Sequence, residues 1–465
     1  MTRIRKYCTN SIMFEDRSRL YIGLAFAGGI LITLGYKDLY PDLERRFRAS
    51  KRWRARRQSL TATSKDEIRL EDHSNRDPNS PSPTAAREYE IKEGIEGTIG
   101  NTPMIRIKSL SDYTGCDILA KAEFLNGAGN SPKDRVALNM ITTAEEEGLL
   151  VPGRGDCIYE GTVGSTGISL AAIARARGYR AHICIPSDQS PEKSSLLLKL
   201  GATLTPVPPA PIILPTQFVN LARRLAAEHT ADPLRPGKGY FADQFENPAN
   251  YLAHLTTTGP EIYAQTGGRV DAFVAGAGTG GTISGVAMAL KERVPEGKVR
   301  VVLADPQGSG LYNKVKHGVM FAGTEREGTR RRHQVDSIVE GIGVNRVTAN
   351  FEAGRELVDD AVRVSDEQAV GMARWLVERD GIFIGSSSAV NCGYLLLMGT
   401  ILSRMLTGTT GVAAVKVAKE LGPGHRVVTI LCDSGNRHLS KFWAEAGNIG
   451  DKDDADLDAI LSMEV

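Results

Sequence analysis

From Tyr89 onward the chain repeats one unit: a short apolar run, a few small residues, then an amphipathic stretch. The apolar runs are Ile118 to Ala122, Cys157 to Glu160, His182 to Ile185, Val270 to Ala275, Val301 to Ala304 and Val427 to Cys432. Helical stretches separate them, among them Gly167 to Arg177 and Glu192 to Lys199. This alternation predicts an α/β fold with parallel sheets and helices on both faces. In such folds ligands gather where strands give way to helices. The glycine-rich segments fall at those points.

The 465 residues allow more than one folding unit, and 41 % hydrophobic with 24 % charged residues is the composition of a soluble globular body. A net charge of +2 argues against a nucleic-acid partner. Cys8, Cys116, Cys157, Cys184, Cys392 and Cys432 are scattered without a CxxC pair. Neither a disulfide framework nor a zinc site is expected, and a reducing compartment fits best.

The first 88 residues read differently from the rest. After a basic segment, 1–19, the stretch Leu20 to Tyr36 runs 17 residues without a charge, at the lower edge of what crosses a bilayer. Eight basic residues follow between Arg45 and Arg57. A cleaved secretory signal is disfavoured by that basic block. The expectation is a single membrane-spanning signal anchor at 20–36, of the mitochondrial outer-membrane type. The heavier positive flank on its C-terminal side leaves the body in the cytosol. A matrix-targeting presequence is the alternative, supported by Arg3, Arg5 and Lys6. Residues 37–88, basic and then rich in proline and serine, read as a tether, and 446–465 as an acidic tail.

Two segments of the body suggest chemistry. Asn130-Ser131-Pro132-Lys133-Asp134-Arg135 offers an amine at a loop-to-helix start, although Asp134 and Arg135 by themselves read as a solvated helix start. Gly278-Thr279-Gly280-Gly281-Thr282 lies between an apolar run and a helix, where backbone N–H groups and the helix dipole suit a phosphate. An amine for an aldehyde and a bed for a phosphate form the pattern of a pyridoxal 5'-phosphate (PLP) enzyme. Thr162-Val163-Gly164-Ser165-Thr166-Gly167 sits at another strand-to-helix junction and suits a substrate carboxylate. Ser434, or Asp433 beside it, is placed to meet a ring nitrogen; the serine is favoured.

From about Gly94 to Phe442 the chain resembles the cysteine synthase and cystathionine β-synthase family, within the fold-type II PLP enzymes. The resemblance rests on Ile99-Gly100-Asn101-Thr102-Pro103, Ser131 to Arg135, Gln244 to Asn250, Thr258 to Ile262, Gly278 to Thr282, Glu340-Gly341-Ile342-Gly343 and Asp433-Ser434-Gly435. It implies a catalytic domain over 89–445, with a smaller subdomain at about 130–240 inserted in a larger one. By resemblance, Lys133 attaches the cofactor and removes the substrate α-proton. Gly278, Thr279, Gly280, Gly281 and Thr282 hold its phosphate, Ser165 faces its ring and Ser434 meets its nitrogen. Thr162, Gly164, Thr166 and Gln244 hold the substrate carboxylate. A neutral serine at the ring nitrogen makes a milder electron sink, which suits β-elimination. The implied reaction converts O-acetylserine and sulfide to cysteine and acetate, in a homodimer without a metal.

The chain departs from that pattern in three places. Val163 stands where the family has serine, and Ser165 where it has the asparagine that meets the cofactor ring. Gly393 to Gly411 interrupts a helix, as an insertion or a retained intron. Rival readings are a cystathionine β-synthase reaction on serine, and a membrane-tethered binding protein that has lost activity.

Overall fold

The computed structural model describes residues 91–294, 298–322, 337–392, 421, 423–447 and 460. The segments at 1–90, at 393–411 and most of the acidic tail therefore lie outside the described residues. Among those described, no helix is long and apolar enough to cross a membrane.

Among the described residues, ten strands form two sheets. In chain order they are β1 (Met104–Arg106), β2 (Asp117–Ala122), β3 (Cys157–Gly161), β4 (Arg180–Pro186) and β5 (Thr203–Val207), then β6 (Gly239–Phe241), β7 (Ala272–Ala275), β8 (Arg300–Pro306), β9 (Asp360–Val364) and β10 (Arg426–Leu431). The six-stranded sheet has the order β1-β2-β10-β7-β8-β9 and the four-stranded one β5-β4-β3-β6. Every pairing is parallel except β1 with β2, where Met104 faces Lys121.

The larger sheet is buried on both faces by simple alternation along its strands. Ile118, Ala120, Val274, Val302 and Val362 point to one side, where Leu110, Met372 and Leu376 cover them. Phe273, Val301, Leu303, Val428 and Ile430 point to the other, against Ile283, Val286 and Leu290. The smaller sheet repeats the scheme with Ile158, Ile183 and Ile185 on one face and Cys157, Tyr159 and Cys184 on the other.

The helix Lys133–Glu146 buries Val136, Ala137, Met140, Ile141 and Ala144 in the core of the smaller sheet. Their spacing is that of one helical stripe. Its first turn is tied down by charge. Arg135 is buried and bonds both Glu123 (2.8 Å) and Glu261 (2.6 Å). Asp134, also buried, accepts the Gly129 N–H at 2.7 Å and the Ser169 hydroxyl at 2.5 Å. The sequence reading of these two as a solvated helix start is therefore corrected. They look solvent-bound in sequence because, Gly129 apart, these partners lie 12 to 126 residues away.

Removing Arg135 strands the Glu123 carboxylate in a dry site, while Glu261 keeps Lys121. Arg135→Ala should lower unfolding free energy by about 3–5 kcal/mol, measured by denaturant unfolding. Arg224→Ala, which breaks only an exposed pair with Glu228, should change it by less than about 0.5 kcal/mol.

Candidate active site

Five segments that leave the C-terminal ends of parallel strands bring their residues to one place. β2 leads through Glu123 to Lys133, β3 to Thr162–Thr166, β6 to Gln244, β7 to Gly278 and Thr279, and β10 to Cys432 and Asp433. They line a cavity of about 430 Å³. Of the residues expected from sequence, Lys133, Thr162, Ser165, Thr166, Gln244, Gly278 and Thr279 line it directly. Gly164, Gly280, Gly281, Thr282 and Ser434 belong to the same segments but fall outside the lining.

Lys133 is half-buried, and its amine makes no hydrogen bond or ion pair among the described residues. Burial holds that amine below its ordinary value, against the opposing pull of Cys432, Asp433 and Glu123. An unpaired amine whose proton is loosened by burial is poised to act as a nucleophile.

The glycine loop opens the helix Gly281–Arg293, whose first N–H groups have no partner within the helix. Gly280 adopts φ +82° with its Cα against Phe351; an added Cβ would come 2.4 Å from the Phe351 Cβ. Thr279 Oγ1 accepts from Asn250 Nδ2 at 2.9 Å, which leaves its own proton to donate. Thr282 meets His254 Nε2 at 3.1 Å. His254 is wholly buried and pushed far below the usual histidine range, so it is neutral.

Across the cavity, Gly164 precedes the helix Ser165–Ala176 with φ +134°. The Thr162 hydroxyl accepts the Gly164 N–H at 3.1 Å. Thr166 donates to Gln244 Oε1 at 2.5 Å, and Gln244 Nε2 donates to Gly161 O at 3.1 Å. Glu160 supports Gln244 by accepting its backbone N–H, and burial raises the Glu160 carboxyl to about 8. With Thr166 and Gln244 engaged to each other, the opening N–H groups of the helix and the Thr162 hydroxyl proton are the donors this loop leaves for an anion. Val163, Ile212, Phe218 and Val219 supply an apolar wall beside them.

Asp433 Oδ2 contacts His438 Nε2 at 3.0 Å, while the Ser434 hydroxyl accepts the Asn436 N–H at 3.3 Å and keeps its proton. Sequence reasoning missed a further wall made of Lys193, Glu340 and His438. Glu340 had a signal in its Glu-Gly-Ile-Gly motif; Lys193 and His438 had none.

A sequence profile for "Pyridoxal-phosphate dependent enzyme" matches residues 95–404. The chain belongs to this family. It is 58 % identical to "Cysteine synthase 2" of Neurospora crassa, over 97 % of this chain and 98 % of that one. A Saccharomyces cerevisiae protein whose name includes "mitochondrial cysteine synthase" is 52 % identical, over 80 % and 88 % of the two chains. Among solved structures, the O-acetylserine dependent cystathionine beta-synthase of Helicobacter pylori superposes with a TM-score of 0.59 and 31 % identity, covering 76 % of this chain and 98 % of that one. An O-ureido-L-serine synthase gives 0.61 and 30 %, covering 80 % and 100 %.

The residues present fit PLP. The unpaired, desolvated Lys133 amine would take the aldehyde, and the loop at Gly278, Gly280 and Gly281, with no room for a side chain at those glycines, would offer its N–H groups to the phosphate. Gly280→Ala should cost the loop about 2–4 kcal/mol through left-handed strain and overpacking. Fluorescence titration of the apoprotein should then show PLP affinity reduced at least about tenfold. Gly318→Ala, also at positive φ but with nothing within 4 Å, should leave that affinity unchanged.

Proposed function

We propose that the protein is a cysteine synthase that replaces the β-substituent of an activated serine, converting O-acetyl-L-serine and sulfide to L-cysteine and acetate. The observation that carries this reading is Lys133, a desolvated unpaired amine facing a helix N-terminus across one cavity. The cysteine synthase names of its relatives support the same chemistry. PLP, when bound, withdraws electrons from the substrate α-carbon and so makes its proton acidic.

The chain's own residues do the rest. The helix start at Ser165 grips the amino-acid carboxylate, with Thr162, Gly164, Thr166 and Gln244 fixing the shape of that loop. The Lys133 amine takes the α-proton and returns it after the β-carbon–oxygen bond has broken and the carbon–sulfur bond has formed. Val163 and Phe218 exclude water from the β-carbon. Gly278 to Thr282 would receive the phosphate, Ser165 would face the ring and Ser434 would be the neutral partner of the ring nitrogen, since Asp433 is engaged by His438.

A mitochondrial location is proposed from the yeast relative's name and from the N-terminal charge pattern. Leu20 to Tyr36 serves as an outer-membrane anchor in that reading, and the enzyme works as a homodimer. Carbonate extraction of isolated mitochondria should leave the protein in the pellet; release into the supernatant removes the anchor.

Purified enzyme should form cysteine from O-acetylserine and sulfide, and Lys133→Ala should lower kcat by about 10³-fold or more. Faster turnover of serine with homocysteine would instead assign the cystathionine β-synthase reaction.

A further inference from the structure

One wall of the cavity is a chain of buried charges. His438, 2 % exposed, reaches Asp433 Oδ2 with Nε2 at 3.0 Å and Glu340 Oε2 with Nδ1 at 3.4 Å. The second contact is long enough to be chiefly electrostatic. Glu340 Oε2 accepts from Lys193 on the helix Pro191–Lys199, and Lys441 approaches Oε1 at 3.4 Å. The Lys193 stem lies on the substrate loop: a Cβ on Gly164 would stand 2.6 Å from Lys193 Cδ. The contacts therefore run from the end of β10, through His438 and Glu340, to the backbone that begins the carboxylate-binding helix.

We propose that His438 is a positioning residue for the amino-acid substrate: as an imidazolium it bridges Asp433 and Glu340 and so keeps Lys193 seated on Gly164. Only the charged ring has a proton on both nitrogens. A neutral ring serves one carboxylate and turns a lone pair toward the other.

Burial alone disfavours the imidazolium, but Asp433 and Glu340 outweigh it and raise His438 above its ordinary 6.5. The other titratable groups facing this wall are Arg437 beside Asp433, the Lys133 amine and the Cys432 thiol within the cavity, and Glu192 beside Glu340. Asp134, near Arg437, is itself pushed toward its neutral form by burial. A raised histidine contributes fully below pH 6.5, and its bridge is lost as pH climbs through the folded value. Substrate binding should weaken over that same window.

The inference rests on reading the Thr162–Thr166 loop as the carboxylate site, and not on the identity of the β-substituent. The test is His438→Gln, which keeps one hydrogen bond and never ionises. KM for the amino acid should rise about tenfold at pH 6.5, with kcat changed less than about threefold. The wild-type rise of KM with pH should be absent in the variant.

Hydrogen exchange of the PLP-bound protein without amino acid provides a readout independent of turnover. Residues 162–176 and 191–199 should exchange about tenfold faster in His438→Gln, with the segment around Arg135 unchanged. Glu340→Gln should reproduce that pattern. Wild-type exchange and KM courses in His438→Gln would overturn the proposal. Should the variant fail to fold, a wild-type pH course without increased exchange at 191–199 overturns it equally.

Discussion

The guanidinium of Arg135, held between Glu123 and Glu261, is the interaction on which the placement of this site depends. Glu123 follows β2 of the larger sheet and Glu261 belongs to the helix Gly259–Gln265. Arg135 itself lies on a helix whose apolar stripe packs on the smaller sheet. One residue with five donors therefore registers three elements from two sheets. Its neighbour Asp134 closes the preceding glycine loop onto Ser169. Lys133 precedes both, and with its backbone fixed its side chain has little choice but the cavity.

The chemistry then follows from topology. Parallel strands end on a common edge, so the loops that follow β2, β3, β6, β7 and β10 converge without any long-range design in the sequence. Two of these loops begin helices at glycines with positive φ, Gly164 and Gly280. Each is a close approach as well as a turn, because Lys193 or Phe351 occupies the place of a Cβ. Two helix N-termini thus face one cavity, which gives it separate places for a phosphate and for a carboxylate. The amine that serves both stands between desolvating walls.

Much of this was legible in the sequence. Six strands were visible as apolar runs because a parallel sheet buried on both faces needs unbroken hydrophobic stretches. β5 and β9 escaped because one carries Pro206 and the other Asp360 and Arg363, and β1 and β6 because three residues make no pattern. The Lys133 and Gly278 motifs were readable since their chemistry is local. Buried pairs such as Lys193 with Glu340, 147 residues apart, were not. A charged side chain in sequence carries no mark of the partner that lets it be buried.

The central claim is that Lys133 is the amine this fold has prepared. Lys121 and Lys193 are more deeply buried, yet both are engaged by carboxylates, Glu261 and Glu340. The direct measurement is borohydride reduction of the PLP-bound protein, followed by proteolysis and mass mapping of the pyridoxyl group. Modification confined to the peptide carrying Lys133 is the predicted result. A pyridoxyl group on Lys121 or Lys193, or on the Lys133→Ala protein at the wild-type level, would contradict it.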